Sequence, residues 1–296
     1  MDIMKFFVIL FSLIFSIIPC HSSTIEIVSP HAPGGPTDAV ARIVQSALND
    51  PAYKIVYKPG ATSQIGIRYV NENDSLLVYA NVQTFISTKR MNTDVKKIVE
   101  NDLEPIVTIG IMPSLLFCNS ATGIKTFQDL KNYDKILSFG TTGEGSVDSY
   151  LTDFMLSTFP NKHVIVQYPQ AGSKPILDLM GNHINCMFVN YTLHNKNIGN
   201  PKLSPIIISH NIHDGIPVWD SIFSQKFQIS NIIGLAVSKN LSSDLREKII
   251  KDVKRSFTES FQRDLKKIGL IPYVNYSNIK SLDEETISFL KKNNLF

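Results

Sequence analysis

Short runs of β-branched and aliphatic residues alternate along this chain with longer stretches whose apolar positions recur at helical spacing. Residues 25–28 read as a strand, and residues 36–48 as a helix because Val40, Ile43, Val44, Ala47 and Leu48 fall at i, i+3, i+4, i+7 and i+8. The same reading predicts strands over 55–57, 76–80, 106–111, 115–118, 136–139, 164–168, 184–189, 206–209 and 232–237. Helices are predicted over 63–70, 126–130, 146–157, 173–180, 242–258 and 282–290. Strand and helix in alternation imply an α/β protein with mainly parallel, doubly wound sheets. Ligands of such sheets bind in crevices beyond the carboxyl ends of the strands, so the turns that follow strands are the informative ones.

Glycines collect in those turns. Pro33-Gly34-Gly35-Pro36-Thr37-Asp38 follows the first strand, Pro59-Gly60-Ala61 with Ser63 and Gln64 the second, Gly140 to Ser146 a mid-chain strand, and Ala171-Gly172-Ser173 comes after Tyr168. A glycine turn that opens a helix presents unpaired backbone N–H groups and the positive end of the helix dipole, which suits an anion. Pro36 fits the first helical position, where its missing N–H is not needed. A plain N-cap needs a single Ser, Thr, Asp or Asn, so two glycines bracketed by prolines point to close approach by a ligand or another backbone. Asp38 and Arg42 read as helix support, a carboxylate in the first turn paired four residues on. In the mid-chain turn Thr141, Thr142 and Ser146 offer hydroxyls and Gly143 and Gly145 room. That turn lacks the Gly-Lys-Ser/Thr ending of a P-loop, the glycine spacing of a dinucleotide fingerprint and the central serine of a nucleophile elbow.

Composition narrows the class. The chain has 296 residues, 43% hydrophobic and 19% charged, enough for two modest cores. A net charge of +3 from 29 basic and 26 acidic residues leaves no like-charge block of the kind nucleic acid selects. After Lys5, residues 6–18 are apolar except for two serines, and a helix over that run reaches only about 20 Å against the roughly 30 Å hydrocarbon core. Residues 1–23 are therefore predicted to be the signal-peptide segment, with the cleavage site within it after Ser22, and the mature protein to leave the cytoplasm for the periplasm. A lipid on Cys20 is disfavoured because Pro19 stands where a lipobox takes a small residue. The mature chain keeps Cys118 and Cys186, which can pair in an oxidising compartment or remain buried thiols; the spacing leaves both open. His210, His213 and Asp214 have a spacing that could hold a metal, but they sit in a loop-like stretch, and no metal or cofactor is expected. His31 reads as a loop histidine beside the first turn and Trp219 as a packing residue. No serine, histidine and carboxylate arrangement is legible, so no reaction is indicated and no enzyme is expected.

The stretch Pro33-Gly34-Gly35-Pro36-Thr37-Asp38-Ala39-Val40-Ala41-Arg42 resembles the opening of the tripartite tricarboxylate transporter substrate-binding proteins, the Bug family. The likeness continues through Lys58-Pro59-Gly60-Ala61, Ile65-Gly66, Leu103-Glu104-Pro105-Ile106, Lys125-Thr126-Phe127-Gln128-Asp129-Leu130, Gly143-Glu144-Gly145-Ser146, Val166-Gln167-Tyr168 and Asp178-Leu179-Met180-Gly181, nearly the whole mature chain. It implies a two-lobed type II periplasmic-binding-protein fold that closes on a small carboxylate, held by backbone N–H groups and hydroxyls of both lobes. One lobe is expected from residues 24–112 plus 230–296 and the other from 113–229. The candidate ligand-binding set is Pro33, Gly34, Gly35, Thr37, Asp38, Gly60, Ala61, Ser63, Gln64, Gln83, Thr141, Gly143, Gly145, Ser146, Ser149, Tyr168, Ala171, Gly172 and Asn190. The resemblance implies delivery by a monomeric receptor to the large and small membrane subunits of a tripartite transporter. A ligand sensor and a periplasmic hydrolase acting through Ser146 are the rival readings. The sequence departs from the family at Ser63 and Gln64, where a glycine and an asparagine are usual, at Ser149, often histidine, at Pro169-Gln170, and at Ile216-Pro217-Val218-Trp219. Those departures bear on which carboxylate is bound.

Overall fold

The computed structural model describes residues 24–90, 94–159, 162–168, 173–212, 215–223, 229, 231–276 and 279–293. The expected signal peptide with Cys20, and Pro169, Gln170, Ala171, Gly172, His213, Asp214 and Ser230, lie outside them, as does the side chain of Gln83.

Two mixed sheets with flanking helices make an α/β fold. The first has the order β11-β4-β10-β3-β1-β2, from β1 (Ile25–Ser29), β2 (Tyr53–Tyr57), β3 (Ser75–Ala80), β4 (Leu103–Ile111), β10 (Ile232–Ser238) and β11 (Ile271–Asn275). The second has the order β7-β6-β8-β5-β9, from β5 (Ser114–Asn119), β6 (Leu137–Thr141), β7 (His163–Gln167), β8 (Cys186–Asn190) and β9 (Leu203–Ile208). The core order is thus repeated, with β1 and β6 each flanked by two parallel strands. Among the described residues four strand pairs are parallel and five antiparallel; four of the five involve β5 or β10, and the fifth is the edge strand β11 on β4. Strands β5 and β10 each follow an element of the other lobe in the chain, so they start at the cleft and run against β8 and β3. The remaining strands of the βα units end at the cleft and open into helices there.

Helix α1 (Pro36–Leu48) shows why the pattern folds as it does. Pro36 sits in the first turn, Val40, Ala41, Val44 and Leu48 are buried, and Asn49 closes the helix in the left-handed conformation with its N–H on the Gln45 carbonyl. That stripe packs with Ile25, Ile27, Leu76 and Val78, each such burial contributing about 1.5–3 kcal/mol. The other helices used below are α2 (Gln64–Glu72), α3 (Phe127–Lys131), α4 (Val147–Ser157), α5 (Lys174–Met180), α6 (Ser243–Ser256), α7 (Glu259–Lys267) and α8 (Ile279–Lys292). Several elements escape the sequence pattern, β11 and α7 among them. Strand β11 contains Pro272 and pairs irregularly at the sheet edge, and α7 buries only Phe261 and Leu265 on an otherwise polar surface.

One expected assignment needs correction. The C-terminal helix α8, placed by sequence with the first lobe, packs on the second, where Phe289 and Leu290 join the cluster of Leu116, Phe139, Phe154 and Trp219. The π-helical turn Val82–Ile86 after β3 inserts Val82 and Ile86 into the same cluster. The amphipathic period of α8 fixes that one face is buried but not against which sheet. Cys118 and Cys186, opposed across β5 and β8 and fully buried, form a disulfide. No helix among the described residues is long and apolar enough to cross a membrane.

Candidate functional site

A cavity lies between the two sheets at the ends of their strands. The first sheet contributes His31, Gly35, Pro36, Thr37 and Ala80, the two chain crossings contribute Met112 and Asn231, and the second sheet contributes Ser114, Thr142, Val147, Asp148, Pro175, Ile176, Met187, Phe188, Val189 and Asn190.

The turn before α1 is built around Asp38. Gly34 donates its N–H to Asp38 Oδ2 at 2.9 Å, Tyr57 donates its hydroxyl to Oδ1 at 2.6 Å, and Arg42 Nε sits 2.9 Å from Oδ1. Burial alone raises the Asp38 carboxyl, but the bonds from Tyr57, Gly34 and Arg42 outweigh it and hold the group below its ordinary range. Asp38 is therefore consumed in shaping the turn. Gly34, exposed and at φ +83°, lends its N–H to that carboxylate, and Pro33 is exposed. Gly35 and Thr37 are the buried members that reach the cavity, and helix geometry leaves the first-turn N–H groups unpaired.

His31 is the residue that sequence reasoning undervalued. Its Nδ1 lies 3.2 Å from Thr37 Oγ1 and its Nε2 3.3 Å from Ser63 Oγ, so the ring ties the first turn to the second. Thr37 Oγ1 is also 3.0 Å from Ser29 Oγ. Sequence spacing hides this clamp because its partners lie six and thirty-two positions away. The second turn holds Ala61, Thr62 and Ser63 at φ +47°, +51° and +72°. For non-glycine residues this conformation costs on the order of 1–2 kcal/mol each. Gly60, Ala61, Ser63 and Gln64 do not line the cavity themselves; Ser63 acts on it through His31.

On the second sheet the turn after β6 is organised by Asp148. Thr142 donates its N–H at 2.5 Å and its hydroxyl at 2.6 Å to the two Asp148 oxygens. Burial pushes this carboxyl up, against the lowering effect of the Thr142 bonds. Ser146 caps α4, its hydroxyl accepting the Ser149 N–H at 3.2 Å, and both serines are buried. Thr141 is buried beneath the turn, its hydroxyl lacking a partner among the described residues. Gly143 and Gly145 turn the chain at φ +115° and +79°. Tyr168, expected from the sequence to contact the ligand, gives its hydroxyl to Asp178 at 2.8 Å, and burial with that carboxylate pushes it up to about 12. Asn190 does line the cavity, where its Oδ1 accepts from Asn231 Nδ2 at 3.1 Å, while the buried Asn231 Oδ1 has no partner among the described residues. Of the sequence candidates, Gly35, Thr37 and Asn190 meet at the cavity, as does Thr142, read from the sequence as a hydroxyl of its turn; Asp148, Asn231 and the apolar wall were not singled out.

Gly145 also fixes how the two lobes touch. Ser87, from the chain after β3, donates its hydroxyl to the Gly145 carbonyl, and a Cβ at Gly145 would stand 2.9 Å from the Ser87 side chain. Gly145→Val is expected to destabilise the protein by about 1–3 kcal/mol and to weaken ligand binding by parting the lobes. Ser87→Ala, which removes one hydrogen bond, should cost about 1 kcal/mol. Thermal melts with and without ligand check both.

Among the described residues no group of three or more His, Cys, Asp or Glu could hold a metal ion. His210 pairs through Nδ1 with Ser209 Oγ at 2.8 Å.

No family model matches the chain. A UPF0065 protein of the TAR-I ttuE-ttuC' intergenic region of Agrobacterium vitis is 24% identical over 254 residues, 80% of this chain and 72% of that protein. The structure of the periplasmic binding protein BugD superposes with a TM-score of 0.75 at 20% identity, over 92% of this chain and 98% of that one. R. palustris Rpa4515 with adipate superposes with a TM-score of 0.79 at 16% identity, over 93% and 98%. The two-lobed architecture is thus that of periplasmic binding proteins. In fold and in its glycine-turn motifs the chain resembles the tripartite tricarboxylate transporter substrate-binding proteins, the Bug family.

Proposed function

We propose that this chain is an extracytoplasmic solute-binding receptor that closes its two lobes on a small carboxylate and hands it to the membrane subunits of a tripartite transporter. The observation that carries the reading is the cavity at the strand ends, where the open first turn of α1 meets the His31–Thr37–Ser63 clamp. Unpaired N–H groups at a helix start, with the dipole behind them, receive an anion without a fixed cation. The adipate in Rpa4515 supports a carboxylate ligand. The buried disulfide agrees with the predicted export, since disulfides persist in oxidising compartments. Ligand shifts the population toward the closed form, and the membrane partner recognises that form. Binding proceeds without turnover: the one serine weighed as a nucleophile, Ser146, is committed as the cap of α4.

The test is a thermal-shift screen of the mature protein against mono-, di- and tricarboxylates, acidic amino acids and aromatic acids. A ligand at a hundredfold excess over Kd stabilises by about 2.7 kcal/mol, on the order of 5–10 °C for a chain of this size. A shift by a neutral sugar or a cation, with none by any carboxylate, sinks the proposal.

A further inference from the structure

We infer that the cleft selects a monocarboxylate with an apolar body over dicarboxylates of the same length. The inference rests on the carboxylate reading above and follows from the asymmetry of the two walls. The first wall presents Gly35, Thr37 and His31, polar groups at a helix start. The second is mostly apolar, with Val147, Pro175, Ile176, Met187, Phe188 and Val189, and its polar members are Ser114, Thr142, Asp148 and Asn190. Among the described lining residues there is no lysine or arginine, and His31 and Asp148 are the titratable ones.

A second carboxylate needs donors at the far end of the ligand, and among the described residues Thr142, Asp148 and Pro175 work against one. Thr142 spends both its N–H and its hydroxyl on Asp148, whose two oxygens take those bonds as acceptors. Helix α5 turns Pro175, which has no N–H, toward the cavity. At the crossing, the buried Asn231 Oδ1 is an acceptor without a described partner, suited to a ligand hydroxyl or a water. An ionised carboxylate placed against the Ile176 and Met187 side chains would lose its hydration with little in return, whereas a methylene or aromatic face gains from the same contact.

Isothermal titration of the mature protein with hexanoate, adipate and hexanamide at one pH tests this. Hexanoate is expected to bind at least about tenfold more tightly than adipate, with hexanamide weaker than both. Adipate equal to or tighter than hexanoate overturns the selectivity and leaves the carboxylate reading standing. Hexanamide as tight as hexanoate, or no binding by either acid, overturns the carboxylate reading and the inference with it. Ile176→Arg, which supplies the missing cation, should move the preference toward adipate. Ile176→Thr, a milder change, should weaken hexanoate and spare adipate; equal loss for both acids would contradict the apolar wall.

Discussion

Replacing Cys118 and Cys186 together by alanine is expected to lower the thermal midpoint by on the order of 10 °C, with the variant still able to bind ligand below its new midpoint. The two cysteines are register partners on adjacent antiparallel strands at the centre of the second sheet, and 68 positions of chain separate them. Closing a loop of that length in the unfolded chain is worth about 4 kcal/mol in the chain-entropy description. Removing two fully buried sulfurs adds a packing loss in the cluster of Leu116, Phe139 and Phe188. Melts of the wild type with and without reductant, beside the double variant, measure the effect. A midpoint unchanged by either treatment would show that the bridge does not constrain the unfolded chain.

The second large effect is expected at Asp38. Asp38→Ala leaves the Gly34 N–H and the Tyr57 hydroxyl without their acceptor and frees Arg42, which should cost about 2–3 kcal/mol of stability. Affinity should fall by about tenfold or more, because the same bonds hold Gly35 and Thr37 in place at the cavity. The pH dependence has a definite sign. The folded carboxyl is held below the ordinary value of 3.8, so its contribution is fully present above that value and is lost as pH falls through the lower, folded one. Asp38→Asn should therefore flatten the acid limb of the stability profile while leaving neutral pH with a smaller deficit than alanine. An acid limb as steep in the asparagine variant as in the wild type would assign acid sensitivity to other carboxylates.

The turn from Pro33 to Asp38 shows how far sequence reading reaches. Two glycines, a proline at the helix start and an acidic first turn are local signals, and each refers to backbone geometry within a few residues. They are legible because φ preferences and missing N–H groups act locally. That the backbone of Gly35 faces the cavity while the N–H of Gly34 faces Asp38 is a matter of how the turn is braced by Tyr57, nineteen positions away. The same limit explains His31, whose two partners come from separate turns, and Tyr168, whose hydroxyl is captured by Asp178 from the following helix.

The sequence by itself determined the alternation of strands and helices, the glycine turns at the strand ends and the apolar faces that build two cores. Hydrophobic period and turn chemistry encode those features directly. Tertiary structure alone decided that α8 crosses to the second lobe, that Cys118 meets Cys186, and that Ile176 and Met187 wall the cavity between the sheets. The physical reason is that an apolar period marks a face removed from water without saying what covers it. A neighbouring sheet, a partner helix or the body of a ligand leaves the same imprint on the chain.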